Sequence, residues 1–298
     1  MCRFLAYSGK PLLMYDLLYG PKNSLIKQSI AANEAEEPLN GDGFGIGWYE
    51  HSLDNEPALY TSIRPAWNDR NLTSLSKKIL SNCFFAHVRA ANVGEVSEAN
   101  CHPFQYKNFL FMHNGSVDDF QTIKRYLKRK LSDEVYNWVR GSTDSEHIFA
   151  LFIHNLHQKY KNNPTATQMV EVLKQTIDEI VEMKKEFGVT SNDYINIVLS
   201  DGHRLIALRY ITDTSEAAST LYFSEGSRYE CSDGVCRMRD ITKKDEHSVL
   251  IVSEKLTNIK KDWKEVPTNH FLIVDDKQNV SVVDYKTLKE VAPAKAAA

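Results

Sequence analysis

Apolar positions along this chain recur with a period of two near both ends and with a helical period in the middle. Residues 2–8 (CRFLAYS) alternate and read as a strand. Residues 39–50 (LNGDGFGIGWYE) follow a charged loop, and Asn40-Gly41 and Asp42-Gly43 are tight-turn signals leading into a strand. Residues 83–91 (CFFAHVRAA) and 108–115 (NFLFMHNG) are compact, β-prone runs that predict buried strands. The segment between them is a loop marked by Gly94, Asn100 and Pro103. The period then changes. Residues 118–132 predict a helix with Asp118 or Asp119 as cap. Residues 142–160 predict a second, with Ser142 or Thr143 as cap and Asp144 and Glu146 in the first turn, where the helix dipole favours them. Residues 165–187 predict a third, amphipathic helix. Strands return at 194–200, 203–211, 219–226, 247–254, 270–276 and 279–285.

Strands, then helices, then strands predict an α+β fold, with helices packed on mostly antiparallel sheets. No repeat or linker divides the chain. The expectation is one domain over residues 2–290, followed by a flexible tail at 291–298.

A chain of 298 residues is long enough to bury about 75% of its unfolded surface. Apolar residues make up 42% and charged residues 25%, as in ordinary soluble proteins. A net charge of −3 gives no pull toward nucleic acid or anionic lipid. No run approaches the roughly 18 apolar residues of a membrane helix, and the N-terminus is too polar for a signal peptide. These features predict a cytoplasmic protein. The cysteines are Cys2, Cys83, Cys101, Cys231 and Cys236. An odd count without a secretory signal argues against a disulfide framework. Cys231 and Cys236 flank a turn, but a structural zinc needs four ligands and no second pair lies near in sequence, so no metal is expected.

Cys2 changes the picture. Removal of Met1 would place a thiol and a free α-amine on one residue. That amine has a pKa of roughly 7.7–8.0 and accepts a thiol proton near neutral pH. One residue then supplies nucleophile and base. By position alone, Cys2 reads equally as a buried edge-strand cysteine. His113-Asn114-Gly115 ends a predicted strand at a turn. The Asn114 amide and the Gly115 N–H are two donors able to converge on an oxyanion, although Asn-Gly is also a plain turn sequence. Arg89 lies in an apolar strand, where its charge requires a partner: a structural carboxylate or a substrate carboxylate. Asp144 is either a helix cap or the partner of a substrate ammonium.

Five motifs occur in order: MCRF at the start, NGDGFGIGW at 40–48, AHVRAANVGEVSEANCHPF at 86–104, MHNG at 112–115 and GSTDSE at 141–146. Together they resemble the glutaminase domain of class II glutamine amidotransferases, among the N-terminal-nucleophile hydrolases. The resemblance implies a four-layer αββα sandwich of two antiparallel sheets flanked by helices. It implies Cys2 as nucleophile, Asn114 and the Gly115 N–H as oxyanion hole, Arg89 on the substrate carboxylate and Asp144 on its ammonium. His102 matches a pocket residue and reads equally as a core histidine. Glutamine-specific members have Trp and Thr where this chain has Ala90 and Asn92. A roomier pocket follows, with Asn92 still able to bond a carboxylate, which favours a γ-glutamyl compound larger than glutamine. The text is similar to a stand-alone subgroup beginning Met-Cys-Arg. That subgroup includes the amidotransferase-like subunit of fungal glutathione degradation and the bacterial γ-glutamyl hydrolase of ergothioneine biosynthesis. RPAWNDRNL at 64–72, NCHPF and GSTDSE resemble the fungal subunit.

The expected activity is cysteine-dependent hydrolysis of a γ-glutamyl amide (glutamine, glutathione or a related compound) through a thioester on Cys2, without cofactor. No fused synthase domain is expected. Either the enzyme is a plain hydrolase or a separate synthase or peptidase subunit receives the product, and an oligomer is left open. The rival reading is a non-catalytic or partner-dependent subunit of a larger complex. A further rival, a relative cleaving other linear amides, would have no use for Arg89.

Overall fold

A computed structural model describes residues 2–34, 38–91, 94–161, 163–232, 235–240 and 247–291. Asn92 and residues 292–298 of the expected tail lie outside the described residues. The strands are β1 (Arg3–Leu13), β2 (Phe44–Trp48), β3 (Ala58–Ser62), β4 (Leu80–Val88), β5 (Phe104–Tyr106), β6 (Phe109–Ser116), β7 (Tyr194–Ser200) and β8 (Leu205–Ile211). They continue with β9 (Tyr222–Gly226), β10 (Arg228–Ser232), β11 (Val235–Arg239), β12 (Ser248–Val252), β13 (Lys264–Glu265), β14 (His270–Val274), β15 (Val280–Asp284) and β16 (Glu290–Val291). The helices are α1 (Met14–Leu18), α2 (Leu25–Ile30), α3 (Arg70–Ser76), α4 (Phe120–Lys130), α5 (Asp133–Trp138), α6 (Asp144–Lys159) and α7 (Ala166–Glu186).

Among the described residues two seven-stranded sheets form, in the orders β13-β9-β12-β1-β4-β2-β3 and β16-β15-β14-β8-β7-β6-β5. The pairings are antiparallel throughout both sheets. Period two divides each strand between two cores. Phe4, Ala6, Cys83, Phe85, Leu110, Met112 and Val198 meet between the sheets. Leu5, Tyr7, Phe84, Ala86 and Val88 face outward onto α1, α2 and α3 through Leu17, Leu18, Leu25, Ile26 and Leu72. On the far side Phe109, Phe111, Ile195 and Ile197 pack on α4, α6 and α7. The layers are therefore helix, sheet, sheet, helix, as the motifs implied.

Local chemistry explains the helix boundaries. Thr143 caps α6 by accepting the Glu146 N–H, and α6 is buried on nearly all sides over its first three turns, as befits a central position rather than a surface stripe. Thr165 and Gln168 form a reciprocal capping box on α7. Asp119 sits at the cap position of α4 with φ of 53°, but its side chain does not cap; its carboxylate instead accepts the Ser191 hydroxyl at 3.4 Å. β4 ends at Val88, so Arg89 lies just past the strand rather than within it. The main chain there stays paired, with Arg89 N–H donating to Gly43 O at 2.9 Å. Gly45 is required by close approach: a Cβ there would lie 2.3 Å from the His102 carbonyl oxygen.

Cys231 and Cys236 stand opposite each other on β10 and β11 and form a disulfide. The expectation of unpaired cysteines is corrected for this pair, because hairpin register brings two thiols five residues apart face to face. Cys2, Cys83 and Cys101 are free.

Candidate functional site

The site is assembled at one end of the sandwich from β1, β4, β6 and the N-terminus of α6. Cys2 immediately precedes β1. Since Phe4 and Ala6 face the inter-sheet core, period two turns Cys2 to the same side. Its half-buried thiol lies against Ala90, with Sγ 3.4 Å from both the Ala90 oxygen and the Ala90 nitrogen. This places the thiol beside the residue that follows Arg89.

Arg89 is buried. Its Nη1 donates to the Glu95 carbonyl at 3.1 Å and its Nη2 to the Gly94 carbonyl at 3.5 Å. Its own carbonyl accepts the Asp42 N–H, and the Asp42 carboxylate accepts the Ala91 N–H at 2.8 Å. The turn predicted at Asp42-Gly43 is thus stitched to the segment carrying Arg89.

Asn114 stands opposite Asn196 in the β6–β7 ladder. It faces the inter-sheet side with Leu110 and Met112, and its Oδ1 is buried without a hydrogen-bond partner among the described residues. Gly115 has φ of +142°, and a Cβ there would lie 1.8 Å from the Tyr194 carbonyl oxygen. Only glycine fits this backbone without displacing the neighbouring strand.

Asp144 opens α6 and is buried. Its Oδ2 accepts the Val117 N–H at 2.8 Å, and its Oδ1 accepts the Ser145 N–H at 2.8 Å. The Ser145 hydroxyl lies 2.8 Å from His113 Nδ1. The end of the strand carrying Asn114 and Gly115 is therefore tied twice to the start of α6. Oδ1 also lies 3.3 Å from the Ser145 hydroxyl, so Oδ2 is the oxygen with acceptor capacity to spare.

Asn100 joins Arg89's loop to α6. Its Nδ2 donates to the Glu95 carbonyl at 2.8 Å, and its Oδ1 accepts the Ser142 N–H at 2.8 Å. Behind it, the Glu146 carboxylate accepts the Arg140 and Gly141 N–H groups. In the sequence Asn100 stands out only as a loop marker, and Asn196 is not marked by any motif. Both carry a signal: Asn100 lies inside the NCHPF motif, and Asn196 is a lone polar residue in an apolar strand.

His102 is buried and stacks on His87 with ring centroids 4.3 Å apart. Neither ring nitrogen of His102 has a partner among the described residues. Burial holds the His102 pKa well below the usual value, and the His87 and His113 charges add to this. Burial, then the Arg89 charge, pushes His87 down to about 3. Burial raises the Cys2 thiol; the Ala90 backbone, the chain's amino terminus, Arg89 and Arg3 pull it back. Among the described residues no cluster of three or more His, Cys, Asp or Glu side chains is arranged to hold a metal. No helix of the described residues is long and apolar enough to cross a membrane.

The family model described as class-II glutamine amidotransferases matches residues 24–297. The chain is 38% identical over 294 residues to the probable glutamine amidotransferase DUG3 of Saccharomyces cerevisiae, covering 92% of this chain and 82% of that one. It is 25% identical over 278 residues to the gamma-glutamyl-hercynylcysteine sulfoxide hydrolase of Mycolicibacterium smegmatis, covering 93% and 96% of the two chains. A solved structure of a glutamine aminotransferase class-II domain protein from Silicibacter pomeroyi superposes with a TM-score of 0.64 at 25% identity, covering 95% of this chain and 99% of that one.

Proposed function

Because this chain belongs to the class II glutamine amidotransferases, we propose that it hydrolyses a γ-glutamyl amide through a γ-glutamyl thioester on Cys2. The observation that carries this reading is that Asn100 joins Arg89's loop to the start of α6, which is in turn tied to the end of β6. Cys2 lies against Ala90, and Arg89 is close enough for its charge to act on the thiol. The strand end carrying Asn114 and Gly115 is fastened to Asp144 through Val117, two residues further on.

In this reading Met1 is removed and the Cys2 amine takes the thiol proton. The thiolate attacks the γ-carbonyl, and the oxyanion is received by the Asn114 side-chain N–H and the Gly115 N–H. The protonated amine passes its proton to the leaving nitrogen, and the C–N bond breaks. Water, deprotonated by the same amine, then cleaves the thioester to release glutamate. Arg89 holds the substrate α-carboxylate, joined by Asn92, and Asp144 holds the α-ammonium. His102 contributes a buried, neutral ring stacked on His87. The mycobacterial relative, a gamma-glutamyl-hercynylcysteine sulfoxide hydrolase, supports a γ-glutamyl substrate with a bulky leaving group, as does Ala90 where glutamine-specific members have Trp.

The test is a substrate panel of glutamine, glutathione, γ-glutamyl-cysteine and a γ-glutamyl sulfoxide, with glutamate release as readout and intact mass for Met1. Wild-type protein should release glutamate from at least one, and Cys2→Ala should reduce it to background. Release from none of them, or an undiminished Cys2→Ala rate, overturns the proposal.

A further inference from the structure

A nucleophile whose amine and thiol must both stay free has one main-chain group left by which it can be held: its carbonyl. In this structure the Cys2 carbonyl accepts Arg3 Nη1 at 2.9 Å. The same guanidinium is fixed by Nε donating to Glu254 Oε2 at 2.9 Å, and both side chains are only 2% exposed. Glu254 is itself immobilised. It accepts Asn23 Nδ2 at 2.8 Å and the main-chain N–H groups of Asn33 and Glu34, both at 3.0 Å. One residue earlier, Ser253 brackets the β1 main chain: Phe4 N–H donates to Ser253 Oγ at 3.0 Å, and Ser253 N–H donates to Phe4 O at 3.1 Å.

Strand parity separates this support from the chemistry. Arg3 follows Leu5 and Tyr7 onto the outer face of its sheet, whereas Cys2 follows Phe4 and Ala6 toward the cleft. The register Leu5↔Val252 continues to Arg3 opposite Glu254, 251 residues away in the chain. We propose that Arg3 and Glu254 are positioning residues that hold the main chain of Cys2 from the face of β1 opposite its thiol. The inference rests on Cys2 being the nucleophile. A guanidinium suits the task because its rigid fork serves a carbonyl and a carboxylate at once, which an ammonium on a flexible stem does less well.

The experiment compares wild type, Arg3→Lys and the double variant Arg3→Met/Glu254→Met. The double variant removes both buried charges together and so leaves no uncompensated ion, and circular dichroism checks that each variant is folded. Glutamate release should show kcat lower by about 10-fold in Arg3→Lys and about 100-fold in the double variant, with KM within about two-fold, since a misplacement near 1 Å costs on that order. The pH midpoint for alkylation of Cys2 by iodoacetamide, read by intact mass, should move by about half a unit or more, since amine–thiol spacing sets the thiolate fraction. Folded variants with wild-type kcat and an unmoved alkylation midpoint overturn the proposal. If wild type cleaves no member of the substrate panel, the γ-glutamyl reading fails by itself, and the alkylation midpoint alone decides whether Arg3 and Glu254 position the thiol.

Discussion

The imidazole rings of His87 and His102 stack 4.3 Å apart, each buried and each with its pKa held below the usual histidine range. Two rings in this arrangement remain neutral together, since protonating either would place a cation against its neighbour and near the Arg89 guanidinium, whose charge acts on both.

The pair makes stability fall on acidification. In the unfolded chain both histidines titrate near 6.5, while the folded His87 does so at about 3. Between those values the unfolded state binds more protons, so stability present above roughly pH 6.5 is lost as pH falls toward 3. Each such histidine contributes about 1.4 kcal/mol per pH unit in that window. Urea midpoints at pH 7.5, 6.5, 5.5 and 4.5 should decline, and His87→Phe should flatten the decline by about one proton. A wild-type midpoint that does not change over this range removes the argument.

Gly115 and Gly188 give a paired test of backbone collision against backbone strain. Both have positive φ, at +142° and +71°. A Cβ at Gly115 meets the Tyr194 carbonyl oxygen at 1.8 Å, whereas at Gly188 nothing lies within 4 Å. Gly188→Ala should cost about 1 kcal/mol, and Gly115→Ala about 3 kcal/mol or more, because β6 must part from β7. Equal losses in urea unfolding would show that the Tyr194 approach is relaxed in solution.

The elements that sequence reading located are those whose burial writes a period into the chain. β6 and β7 are apolar runs because both faces are covered, and α6 announces itself through Thr143. The helices α1 and α2 have five and six residues, too short for a helical period to emerge. The β10–β11 hairpin lies outside the main sheets; it alternates, but over only five residues in each strand, too short a run to stand out. At the site, motif order brought forward Cys2, Arg89, Asn114 and Asp144. What no local pattern contains is register: Asn196 opposite Asn114, or Glu254 opposite Arg3, exists only once the sheets have closed.

The Cys231–Cys236 disulfide should stabilise the chain without serving the site. It spans only five positions of sequence, so chain-entropy reasoning gives about 2 kcal/mol. Cys231→Ser/Cys236→Ser should lower the melting temperature modestly and leave kcat/KM unchanged. Added dithiothreitol should bring wild type down to the variant and leave the variant unmoved. A reductant-insensitive wild type would mean the bond is not formed in solution.

Asp144 separates capping from recognition. Its two oxygens accept the Val117 and Ser145 N–H groups on different sides, and the carboxamide introduced by Asp144→Asn would offer a single acceptor oxygen for both. Removing a charged hydrogen-bond partner costs about 1.5–3 kcal/mol, or roughly 10- to 150-fold in kcat/KM. The decisive comparison uses a γ-glutamyl amide and its glutaryl analogue, which lacks the α-amine. If Asp144 holds the substrate ammonium, wild type favours the γ-glutamyl compound by that factor and Asp144→Asn erases the preference. If Asp144 only ties β6 to α6, both substrates lose rate equally and the preference survives. The second outcome would move ammonium recognition to another carboxylate while leaving Cys2 chemistry intact.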